Sequence, residues 1–63
     1  MINEYIRRSR HGFESEIDAV EWIGILAPGR IPTRKKNQYG TVYFDVLYVL
    51  DDKSYNFSAF VGD

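Results

Sequence analysis

The 63-residue sequence has no cysteine, so no disulfide can staple so short a chain. It has one histidine, His11, which leaves no cluster of nitrogen and sulfur ligands for a structural or catalytic zinc. Glycines stand alone at 12, 24, 29, 40 and 62, and none belongs to a phosphate-cradling glycine-rich loop. The longest apolar run, residues 46–50, spans five residues, far short of the ~20 that a membrane helix needs. Arg7, Arg8 and Arg10 are followed by no apolar stretch of the kind a secretory leader carries. These absences predict a soluble cytoplasmic protein without cofactor, metal or membrane attachment.

What is present must then hold the fold. A domain of about 60 residues buries only roughly 60% of the surface its unfolded chain exposes, which makes it marginal. The chain answers with five Tyr, four Phe and one Trp, each ring able to remove about 150–250 Å² from water. Such a composition does not resemble a disordered tail, which would be poor in aromatic and β-branched residues. The remaining source of stability is a partner.

The net charge of −1 hides a segregation. Residues 1–29 sum to −2, residues 30–36 to +4 and residues 37–63 to −3. A basic segment is thus set in an acidic body with an overall pI near 5.7, which bears on association more than on fold.

Periodicity predicts one helix and a hairpin. Ser15 followed by Asp18 has capping-box spacing, and Ile17, Ala19, Val20, Ile23, Leu26 and Ala27 fall within one half of a helical wheel over residues 15–26. Trp22 lies at the margin of that arc and Ile25 on its polar side. A rival reading is a strand over 20–26, since short apolar runs are ambiguous. Ala27-Pro28-Gly29 stops the helix, and residues 27–40 read as a long basic loop without apolar period. Residues 41–50 and 53–61, rich in β-branched and aromatic side chains, form a hairpin turned by Asp51 and Asp52.

In that hairpin Val42, Phe44, Val46, Tyr48 and Leu50 share one face with Tyr55, Phe57, Ala59 and Val61, and this face should pack under the helix. Tyr43, Leu47, Val49 and Phe60 lie opposite and need covering. A two-stranded hairpin is marginal alone, so residues 3–13 are expected to add an N-terminal strand, with a short helix over 2–10 as the alternative. The expected fold is therefore a small single α+β domain, order β-α-β-β, with a three-stranded antiparallel sheet packed on one helix.

No constellation points to catalysis. His11 reads as a surface histidine beside Arg10 and Glu14; Ser15 reads as a cap, and Ser54 and Ser58 as solvent-facing strand positions. Two binding readings remain. The first is a non-catalytic protein-binding domain, a modulator or inhibitor of the sort that phages and mobile elements encode, using Trp22, Ile25, Tyr43 and Phe60. Self-association as a symmetric homo-oligomer would serve the same surplus of apolar residues. The second is nucleic-acid binding, with Arg30, Arg34, Lys35 and Lys36 on phosphates, Tyr39 stacking on a base, and Arg7, Arg8 and Arg10 extending the patch.

Overall fold

The computed structural model describes residues 3–62. The chain runs β1 (Glu4–Phe13), α1 (Glu16–Leu26), β2 (Thr33–Lys36), β3 (Val42–Leu50) and β4 (Lys53–Val61). One four-stranded mixed sheet, in the order β1-β4-β3-β2, carries the single helix. The domain is α+β with one helix, and the sheet differs from the expected one in two respects.

The expected three-stranded antiparallel sheet is corrected first by β1, which lies parallel to β4 from Glu4↔Lys53 to Arg10↔Ala59. The cause is the helix between β1 and β2. A crossover of this length returns the chain to the end where β1 began, so β2 points the same way as β1. Two antiparallel turns later β4 does too, and it closes the sheet against β1.

The second correction concerns the basic loop. Residues 33–36 are a strand, β2, paired antiparallel with β3 from Thr33↔Asp45 to Lys36↔Val42. All four side chains of β2 are exposed, so no apolar alternation announces it; backbone pairing to β3 makes the strand. The turn that leads into β3 is built on Asn37, whose Oδ1 accepts from Tyr39 N at 2.9 Å and Thr41 N at 3.0 Å.

Local signals set the other boundaries. The Ser15 hydroxyl accepts a hydrogen bond from Asp18 N at 3.2 Å, satisfying one orphan donor of the first helical turn. The helix ends where Arg30 N reaches back to Ala27 O across Pro28-Gly29, with Gly29 at φ +78° as a type II turn requires. Asp51 and Asp52, at φ +51° and +61°, form the tight turn between β3 and β4. That turn shape matches the twist of a two-residue hairpin.

The core lies between α1 and one face of the central strands. Ala19, Ile23 and Ala27, at i, i+4 and i+8, pack on Phe44, Val46, Phe57 and Ala59. Ile6, Phe13, Trp22, Leu26, Val42, Tyr48, Tyr55 and Val61 are half-buried around them. The buried stripe of the helix is narrower than the expected arc: Ile17 and Val20 are exposed, as is Leu50 at the end of β3. Ile23 is the one large side chain among the described residues that is wholly buried. No helix among the described residues is long and apolar enough to cross a membrane.

Candidate functional site

The helix covers one face of the sheet, and among the described residues nothing packs over the other. Strand register arranges that open face in rows. Tyr43 of β3 pairs with Phe60 of β4, and His11 of β1 stacks on Phe60 from the other side. The His11 and Phe60 rings lie 4.2 Å apart and 2° from parallel, the Tyr43 and Phe60 rings 4.8 Å apart at 22°. Both faces of the Phe60 ring are therefore covered by its neighbours.

The middle of the face is polar. Asp45 Oδ1 accepts from Asn56 Nδ2 at 2.7 Å and Ser58 Oγ at 3.0 Å, and its Oδ2 accepts from Lys35 Nζ at 3.1 Å. Asn56 Nδ2 also donates to Val46 O. Burial alone would push the Asp45 carboxyl up, but the hydrogen bonds from Lys35, Ser58 and Asn56 outweigh it and hold the group below its ordinary value. The same bond raises Lys35. Ser54 and Ser58, expected to face solvent, are buried in β4 between β1 and β3.

Beyond this polar knot lies an aliphatic strip. Leu47 is 65% exposed and Val49 55%. Leu47 pairs with Asn56 and Val49 with Ser54; Arg7 and the exposed Tyr5 stand on the far side of these β4 residues, on β1. Aromatic ladder, polar knot and aliphatic strip thus follow one another along the face.

The four residues expected to bind a partner do not share a surface. Tyr43 and Phe60 lie on the open face. Trp22 lies on the helix side, half-buried against Phe13 with ring centroids 5.7 Å apart, and Ile25 projects from the helix into solvent.

The basic residues are likewise divided. β1 and β2 are opposite edges of the sheet, three strand spacings or about 14 Å apart, so Arg7, Arg8 and Arg10 do not extend the patch of residues 30–36. Within that patch Arg34 makes a two-pronged bond to Glu16, with Nε–Oε1 at 2.8 Å and Nη2–Oε2 at 3.0 Å. This pairing lowers Glu16 and raises Arg34. Lys35 is held by Asp45. The Arg30 guanidinium lies 4.2 Å over the Tyr48 ring, a cation–π contact. Lys36 is exposed on β2, and Tyr39 is exposed in the following turn.

The polar knot and the place of His11 in the ladder were not foreseen, although a signal existed. A two-residue turn at Asp51-Asp52 fixes the hairpin register, which sets Asp45 against Ser58 and Leu47 against Asn56. A carboxylate inside an apolar strand, facing a run of Asn and Ser, then reads as a hydrogen-bonded cluster. The described residues enclose no pocket, and they bring no three potential metal ligands together. Comparison with family models, with curated proteins and with solved structures finds no match to this chain.

Proposed function

We propose that this chain is a non-catalytic protein-binding domain, a modulator or inhibitor of a larger partner, which docks through the open face of its sheet. The observation that carries this reading is the uncovered row of Tyr5, Leu47 and Val49 beside the Tyr43–Phe60–His11 ladder. An apolar and aromatic surface of this kind, interrupted by a satisfied polar cluster, has the make-up of a protein interface centre.

The nucleic-acid reading is the weaker of the two. Tyr39, the ring that would stack on a base, is exposed in the turn after β2, while the β1 arginines lie at the opposite edge of the sheet. The cations lie on two edges, and Arg34 and Lys35 are already paired.

A photo-crosslinking residue placed at position 47, in cells that produce the protein naturally, should give a discrete protein adduct that the same residue at position 17 does not. Identical adducts from both positions would refute docking by the open face. A nucleic-acid adduct, with a log–log salt slope of about −4 to −6, would put the second reading in its place.

A further inference from the structure

The outer edge of β1 is the longest unpaired backbone of the sheet. β1 spans ten residues, Glu4–Phe13, and among the described residues it pairs on one side only, with β4. A row of backbone donors and acceptors left open in this way is a template for a further strand. The opposite edge, β2, has four residues and offers far less.

The side chains of β1 add a second, independent feature. Arg7, Arg8 and Arg10 lie within four positions. The register puts Arg7 on the open face, across from Asn56, and Arg8 and Arg10 on the helix side, across from Phe57 and Ala59. Ion pairs among the described residues join Arg34 to Glu16, Lys35 to Asp45 and Lys53 to Glu4. None of them neutralises the β1 arginines. Arg10 rests on the Phe13 ring at 5.1 Å, a contact that orients the guanidinium and leaves its charge in place.

A second copy of this chain is a poor occupant for the edge. Two-fold antiparallel pairing of β1 with itself matches residues on the same face, and the two most centred registers set Arg8 against Arg8 or Arg8 against Arg10. Like charges directly opposite one another destabilise a strand pair. A nucleic-acid backbone fits poorly too, because the arginines alternate between the two faces of the sheet and a duplex would meet one face. An added strand projects side chains to both faces.

We propose that the outer edge of β1 accepts an extended acidic segment of a partner protein as a fifth strand. Antiparallel addition sets carboxylates against Arg10, Arg8 and Arg7 when the segment reads acidic-x-acidic-acidic. Backbone bonds to the β1 edge supply the alignment, and the three arginines select the sequence. This site is separate from the Leu47 and Val49 strip, and it stands or falls independently of docking by the open face.

The test is an NMR titration of the labelled 63-residue protein with a capped peptide, Thr-Val-Glu-Val-Glu-Glu-Val-Thr. The peptide is expected to shift the β1 amides and slow their hydrogen exchange. Replacing its Glu by Gln, or changing Arg7, Arg8 and Arg10 together to Ala, should weaken binding about tenfold. N-methylating alternate peptide residues along one edge should abolish binding while methylating the other edge spares it, a signature that non-specific charge attraction lacks. Leu47→Ser should leave the titration unchanged. Three results would each overturn the proposal: no β1 response at about 1 mM peptide, equal tolerance of both methylated peptides, or tighter binding of an oligothymidylate at the same arginines.

Discussion

The polar knot at Asp45 makes a quantitative claim about how the open face is built. Replacing Asp45 by Ala removes the acceptor of three hydrogen bonds, and the three losses are unequal. Lys35 is half exposed and returns to water, so its share is about 0–1 kcal/mol. Asn56 keeps Val46 O as an acceptor, which limits its share to about 1 kcal/mol. Ser58 is buried and keeps no acceptor that the knot supplied, which costs about 1–3 kcal/mol.

The expected sum is about 2–5 kcal/mol, against a total stability of about 3–9 kcal/mol for a chain of this length. At roughly 4–8 °C per kcal/mol, the melting temperature should fall by about 10–40 °C. Trp22, packed on Phe13 at the rim of the core, gives a fluorescence signal for thermal and urea unfolding.

The same carboxyl supplies a pH signature. Asp45 titrates lower in the folded protein than in the unfolded chain. Its contribution is therefore fully present above the unfolded value of about 4 and is lost as pH falls through the folded value. Wild type should exceed Asp45→Asn in stability at pH 7, and the gap should narrow on acidification. An Asp45→Ala variant within about 0.5 kcal/mol of wild type, or a gap to Asp45→Asn that does not change with pH, would refute the account.

Two further expectations concern the scaffold. Asp51→Asn combined with Asp52→Gly places residues suited to positive φ where φ is +51° and +61°, and should stabilise by about 0.5–1 kcal/mol, read as a higher urea midpoint; a lower midpoint would contradict the turn assignment. Ile23→Ala should cost about 2–5 kcal/mol, a large part of the total stability of about 3–9 kcal/mol, whereas Ile23→Val should cost about 0.5–1.5 kcal/mol and lower the melting temperature much less. Similar melting temperatures for Ile23→Ala and wild type would mean that Ile23 is not the centre of the core.

Much of the fold is legible where short-range chemistry decides it. Ser15 and Asp18 mark the helix start, Pro28-Gly29 its end, and paired aspartates the hairpin turn. Alternation along residues 41–61 separates Phe44, Val46, Phe57 and Ala59 from Tyr43, Leu47 and Phe60. β2 is not legible, because Thr33-Arg34-Lys35-Lys36 lies on an edge with every side chain exposed. Its strand conformation comes from backbone bonds to β3, which no side-chain pattern records. The candidate site divides in the same way: Tyr43 and Phe60 emerge from alternation, whereas His11 joins them only because β1 returns beside β4.

The absence of cysteine excludes a disulfide, and local patterns alone point to one helix before a hairpin with one face apolar in excess. Those conclusions depend on composition and on neighbours a few residues apart. That β1 and β2 lie at opposite edges, which keeps the two basic clusters apart, emerges from the packed sheet alone. The reason is topological. Which strand lies beside which depends on the return path of the helix and on pairing between residues some 50 positions apart, as Arg7 and Asn56 are, and no local pattern encodes that distance.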